Sequence, residues 1–329
     1  MPKRMIRRTL FVTVLVAGLL MPPGLPRATA QEKTQQEPQQ PLKVQTNLVN
    51  LYATVRDKRH AIVPDLQKGD FRIYEDGVEQ KVEFFSREVA LPITLGILID
   101  ASGSVERLLG AEQETASRFL ERVMRKSDEA MVMSFDLEAT LLEDFTNDVA
   151  ALERQINSVR INTGGGNSRV TPTTIPERGP RGTVLYDAVY LACREKLAGE
   201  AGRKAIVILT DAEDEGSKRR LEDAIEAAQR SDTVIHILLQ SDMRFGFGGG
   251  GGVARKMTNE TGGRTIEVRN EKDLQKAFEE ISEELRSQYS IGYTPTNPAH
   301  DGKFRRIRVE TARQDNKVLA RQGYYAPRN

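Results

Sequence analysis

Short apolar runs alternate with amphipathic segments through the middle of the chain. Ile93–Ile99, Ala130–Phe135, Ala205–Thr210 and Thr233–Leu239 are rich in β-branched residues and show no polar alternation, the signature of strands buried on both faces of a parallel sheet. Between them the period changes. Leu221, Ala224, Ile225 and Ala228 share one helical face, as do Leu274, Ala277, Phe278, Ile281 and Leu285, with Asn270 placed as an N-cap. Strands alternating with helices over residues 91–287 predict an α/β domain with a doubly wound, mostly parallel sheet.

Both flanks read differently. Val49, Leu51, Ala53 and Val55 alternate with polar residues, and FRIYEDGVEQKVEFF (71–85) reads as a hairpin turning at Asp76-Gly77. Residues 42–90 thus form a β unit too small to bury a core alone. After Arg286, YSIGYTP, FRRIRVET and a last run to Tyr325 return to strand patterning. The expectation is that strands of residues 288–329 pair with the 42–90 unit, making a smaller β domain from both ends of the chain.

The first residues stand apart from the fold. A basic start (MPKRMIRR), an apolar stretch too short to span a bilayer comfortably and the ending Ala28-Thr29-Ala30 make the pattern of a secretory signal over 1–30, cut near Ala30. QEKTQQEPQQP (31–41) reads as a disordered linker. An exported protein, periplasmic or extracellular and without a stable membrane anchor after cleavage, is expected. Cys193 is the only cysteine, so no internal disulfide can form, and its place beside Val189 and Ala192 on an apolar helix face marks an inert core thiol. A formal net charge of +1 and the lack of tryptophan give no case for nucleic-acid partners.

Candidate chemistry collects where predicted strands end, the place where open α/β sheets bind ligands. ILIDASGS offers Asp100, Ser102 and Ser104; RGTVLYDA places Thr183 before a helix; LTDAEDEGS carries Asp211; Asp136 follows another strand. Asp100, Ser102, Ser104, Thr183 and Asp211 together give two anions and three hydroxyls. Such hard oxygen donors suit magnesium or manganese, with calcium as a further candidate. Two carboxylates balance a divalent charge, while neutral hydroxyls leave the ion able to take an outside carboxylate.

DASGS, the Thr183 segment GTVLYDA and LTDAEDEGS resemble the three pieces of the metal-ion-dependent adhesion site of von Willebrand factor type A (VWA) domains, and the resemblance covers residues 91–287. It implies a Rossmann-like domain, direct coordination by Ser102 and Ser104, direct or water-mediated binding by Thr183, and water-mediated binding by Asp100 and Asp211. Ala212 departs from the pattern, which has glycine there. The flanks VRDKRHAIVPDLQKGDFRIYEDGVEQ and YSIGYTPTNPAHDGKFRRIRV…GYYAP resemble an exported acidobacterial subgroup of VWA-related proteins. The implied function is a metal-dependent adhesion or interaction module whose protein partner presents Asp or Glu.

Other readings compete. A turn with an N-capping serine would also explain Asp-x-Ser-x-Ser. GFGGGG (246–251) fits Gly-x-Gly-x-x-Gly, but any glycine run does, and this one comes several residues after its strand; a loop is the simpler reading. A magnesium-dependent, phosphatase-like hydrolase needs a nucleophile or base, for which Asp136 or Asp214 could serve, although both read as solvated loop acids. His236 lies within a predicted strand, His60 and His300 in loops, and no catalytic triad or zinc motif occurs. A scaffold whose metal only stabilises the fold is the third reading. The segment 162–182, rich in glycine, proline and small polar residues, reads as an irregular insertion or as a rim beside Thr183.

Overall fold

The computed structural model describes residues 48–87, 91–161, 182–240, 250–313 and 315–328. The signal and linker readings, the 162–181 stretch and residues 246–249 of the glycine run therefore lie outside the described residues.

In chain order the first strands are β1 (Val49–Arg56), β2 (Phe71–Glu75), β3 (Val78–Gln80) and β4 (Val82–Arg87). The α/β part follows as β5 (Ile93–Asp100), α1 (Leu109–Val123), β6 (Glu129–Phe135), β7 (Ala139–Thr146), α2 (Val149–Ile156), α3 (Leu185–Leu191), β8 (Arg203–Thr210), α4 (Leu221–Arg230), β9 (Thr233–Gln240), α5 (Gly250–Thr261), β10 (Thr265–Val268) and α6 (Glu271–Arg286). The chain closes with β11 (Tyr289–Tyr293), β12 (Phe304–Thr311), β13 (Lys317–Leu319) and β14 (Gly323–Tyr325).

The central sheet is doubly wound. Its order is β10-β9-β8-β5-β6-β7, which, counted from the first strand of the α/β part, runs outward in opposite directions from β5 and β8. All neighbours are parallel except β6 and β7. Strands β5 and β8 are buried along almost their whole length, as the unalternating apolar runs require. Helices α1 and α6 cover one face, with Phe119 and Phe278 in ring contact; α3, α4 and α5 cover the other. Strand β7 was not legible in the sequence. It is a half-exposed edge strand, and its Glu143 and Asp144 break the apolar run that would mark it. Cys193 is fully buried where the α3 helix widens into a π-turn, and burial pushes its thiol up to about 12. The thiol is thus chemically quiet.

Both ends of the chain build the smaller β part. Strand β1 pairs with β11, and β2 with β12, across more than two hundred residues of sequence. The resulting sheets, β13-β1-β11-β4 and β14-β12-β2-β3, share one core of Leu51, Ala53, Val55, Phe71, Ile73, Tyr289, Ile291 and Ile307. The β2–β3 hairpin turns at Asp76 (φ 48°) and Gly77 (φ 87°), the left-handed pair that a two-residue turn demands.

The α/β part is set between β4 and β11, which are themselves antiparallel neighbours, with Arg87 opposite Tyr289. Arg203, at the start of β8, donates to the carbonyls of Leu91 and Leu285 at 2.7 and 2.6 Å, clasping the two strands of chain that cross between the parts. A second tie is ionic. Glu284 of α6 accepts from Arg56 of β1 at 2.9 and 2.5 Å and pairs with Arg264, with Arg56 and Glu284 almost fully buried. His236 lies beside this cluster, its Nδ1 3.8 Å from Glu284, and burial lowers its pKa. It is a packed core residue, as its place in a strand implied.

Candidate metal centre

Strands β5 and β8 mark the point where the winding direction reverses, and their carboxyl ends hold the predicted acids. Asp100 closes β5 with no exposed surface. Its Oδ1 accepts the Ser102 N–H at 2.9 Å, and its Oδ2 accepts the Thr210 hydroxyl from the end of β8 at 2.6 Å. Burial is the dominant influence and raises its pKa to about 6 against these hydrogen bonds. Asp211 is the next residue after β8, and its charge also acts on Asp100.

The serines are not caps. Ser102 occupies the N-cap position of the short 3₁₀ turn Gly103–Val105, yet its side chain makes no capping bond, and α1 likewise begins without one. The Ser102 and Ser104 hydroxyls instead meet at 3.0 Å. For oxygens ~2.1 Å from an octahedral ion the edge length is about 3.0 Å, so the pair fits two adjacent positions around magnesium without rearrangement. Ser104 is exposed and Ser102 nearly buried, giving the cage one open side.

Thr183 arrives on a separate segment that hydrogen bonds fasten to the Asp211 loop. Its carbonyl accepts from Glu215 and Gly216 N–H at 3.1 and 3.3 Å. The Tyr186 N–H donates to Asp214 Oδ1 at 3.1 Å and the Asp187 N–H to Ser217 Oγ at 3.0 Å. Asp187 in turn accepts from Lys218 and Arg219 N–H at 3.0 and 2.9 Å. These bonds correct the reading of Asp214 as a solvated acid: it is tied to Tyr186 and Ser217. Asp136 contributes its carbonyl to the Val184 N–H at 2.8 Å, while its carboxylate accepts from Glu138 N–H.

Two contributors escaped sequence reasoning. Thr210 bridges the site, donating to Asp100 and accepting the Ala212 N–H at 2.9 Å; as the last residue of an apolar strand it looked like filler. Glu112 lies on the buried face of α1 and feels the charges of Asp100 and Asp211; a charged residue on an otherwise apolar helical stripe was the available signal. Ala212 stands in the left-handed region at φ 58°, which explains why the resembling pattern has glycine there. Alanine accepts a cost of about 1 kcal/mol in that conformation.

Among the described residues no group of three or more His, Cys, Asp or Glu is close enough to hold an ion. The donor chemistry and the serine spacing fit a small hard cation.

Asp100 and Asp211 thus follow neighbouring strands at the switch point, and the Thr183 segment is bonded to the Asp211 loop. The α/β part has the doubly wound, mostly parallel sheet that the sequence predicts. No protein-family model matches the sequence, and no curated protein matches it. Solved structures do. A von Willebrand factor type A protein from Catenulispora acidiphila is 12% identical over 87% of this chain and 75% of its own, with a TM-score of 0.47. Proximal thread matrix protein 1 from the mussel byssus, solved with a zinc-occupied MIDAS motif, is 15% identical over 64% of this chain and 49% of its own, with a TM-score of 0.49. The conserved hypothetical protein BatB from Bacteroides thetaiotaomicron is 19% identical over 59% of this chain and 100% of its own, with a TM-score of 0.43. The chain spans about half the length of the mussel protein.

Helix α5 of the α/β part also bears on these residues. A Cβ built on Gly250 would overlap the carbonyl oxygen of Asp211 and the backbone of Ala212. Only glycine lets the first turn of α5 lie against this loop. Gly250→Ala is therefore expected to displace Asp211 and to weaken magnesium binding about tenfold in titration calorimetry; unchanged affinity would show that the loop tolerates the shift.

Proposed function

We propose that this chain is an exported binding protein that captures an Asp or Glu carboxylate of a protein partner through a divalent cation, magnesium first among the candidates. One observation supports the reading: the Ser102 and Ser104 hydroxyls, free of capping duty and 3.0 Å apart, follow the buried Asp100, which also feels the charge of Asp211 from the neighbouring strand end. Ser102, Ser104 and Thr183 would hold the ion, with Asp100 and Asp211 reaching it through water. The bound ion would supply an electrophilic position for one outside oxygen.

The protein's own groups set the conditions for that capture. Thr210 and the Ser102 N–H fix the Asp100 carboxylate, so its orientation costs no reorganisation when a partner arrives. The bonds between the Thr183 segment and the Asp211 loop hold donors from separate elements in one place. The binding reading is favoured over hydrolysis because the two acids available as a base, Asp136 and Asp214, both spend side-chain oxygens on local hydrogen bonds. Export rests on the signal pattern of residues 1–30. No helix among the described residues is long and apolar enough to cross a membrane.

The test is calorimetric. Magnesium should bind the folded chain, and Ser102→Ala should lower its affinity by at least about tenfold, since a direct ligand is lost. The metal-free melting temperature should stay within a degree or two. Acidic partners crosslinked from the exporting cell should disappear with chelator and with Ser102→Ala. Partners retained equally in both would leave the metal as a structural ion only.

A further inference from the structure

We propose that Glu112 is a further member of the metal centre, accepting through its free carboxylate oxygen a hydrogen bond from a water bound to the ion. The inference rests on the metal-binding reading given above and assigns a residue that the adhesion-site pattern does not include.

The buried face of α1 is formed by Leu109, Thr115, Ala116, Phe119, Leu120 and Val123, and Glu112 interrupts it at 1% exposure. A leucine would serve packing better there. One of its oxygens accepts from the side-chain amide of Gln240, the last residue of β9. The other, Oε2, is buried without a hydrogen-bond partner among the described residues. A carboxyl oxygen hidden from water and left unpaired is costly, so its retention needs a reason.

Its surroundings supply one. The charges acting on Glu112 are those of Asp100 and then Asp211. Burial first, and Asp100 second, push its pKa up to about 8. Among the described residues no lysine or arginine pairs with any of these three acids. The carboxyl edge of the sheet thus brings three carboxyl groups from α1, β5 and the β8 loop within range of one another's charge, with no counter-charge among the described residues; a divalent cation would provide one. Glu112 does not join Asp100 and Asp211 in a cluster tight enough to grip an ion directly. Its reach is through water, which suits an ion such as magnesium that keeps part of its hydration shell. The Gln240 amide fixes the carboxylate plane and leaves Oε2 for this role, an outer-shell arrangement of the kind that orients bound water.

The experiment is magnesium titration of the full folded chain as wild type, Glu112→Gln and Gln240→Met, with melting curves in chelator and in saturating magnesium. Glu112→Gln should bind magnesium about 10- to 100-fold more weakly. Its melting temperature in chelator should hold or rise, because a buried acid among acids is gone. Gln240→Met should weaken binding in the same direction by a smaller factor, and it decides the matter should Glu112→Gln not fold. A purely packing role would move both melting curves equally and leave the affinity alone. Wild-type affinity in both variants overturns the assignment of Glu112 while the metal site stands; no uptake by the wild type overturns the site and this inference together.

Discussion

Glu284→Ala is expected to destabilise the protein by about 3–5 kcal/mol, the range for breaking a buried ion pair from one side. Glu284 is 2% exposed and is the shared partner of Arg56 and Arg264. Arg56 is equally hidden, with its remaining bond to the His60 carbonyl. Arg264 keeps Glu280 at 2.7 Å. Removing the carboxylate strands the Arg56 guanidinium in the seam between the β part and α6, where it cannot lose its proton. Neighbouring His236 offers no relief, since burial holds it neutral. The contrast is Arg122→Ala, which breaks an exposed pair with Glu279 and should cost less than about 0.5 kcal/mol. Urea unfolding of both variants checks the pair of values. A loss below 1 kcal/mol for Glu284→Ala would mean that water already reaches Arg56.

The second large effect is a pH slope that metal removes. Asp100 and Glu112 both titrate above the ordinary carboxyl range, at about 6 and about 8, chiefly through burial. A carboxyl with a raised folded pKa binds more protons in the native than in the unfolded state, so stability falls as pH rises across the interval. In chelator the stabilising contribution of these two groups should be complete below about pH 4, the ordinary carboxyl value. It should then be lost progressively to about pH 8, a slope that Glu112→Gln should reduce. The Asp100 rise alone corresponds to on the order of 3 kcal/mol. Saturating magnesium should flatten or reverse the slope, because the ion competes with protons for the same oxygens. Melting temperatures at several pH values, with and without the ion, read this directly. An identical slope in wild type and Glu112→Gln, both in chelator, would show that Glu112 is solvated after all.

Much of the fold could be read because its strongest signals are local. The buried strands β5, β6, β8 and β9 announce themselves as unbroken apolar runs, and Asn270 caps α6 as expected, accepting the Asp273 N–H at 3.0 Å. Strand β7 could not be read, since an edge strand needs only half an apolar face and this one carries acids. The site divides along the same line. Asp100, Ser102 and Ser104 sit within five residues, so one turn brings them together. Thr183 and Asp211 were placed by their positions at strand ends, and their attachment is visible only through bonds such as Tyr186 to Asp214. Thr210 and Glu112 become meaningful once β8 and α1 are seen to converge on Asp100. The sequence alone cannot show that convergence, because it depends on the order of strands in the sheet.

The pairing of β4 with β11 has a wider implication for how such a molecule is assembled. Arg87 and Tyr289 face each other as if a tight hairpin joined them, and the whole α/β head grows out of that missing bend. A platform that receives its passenger through two neighbouring chain ends can hold it without rethreading its own strands, and here it adds the buried Arg56–Glu284 pair to that hold. The head's business end, at the far edge of its sheet from those anchorage points, is then free to diversify while the pedestal stays the same.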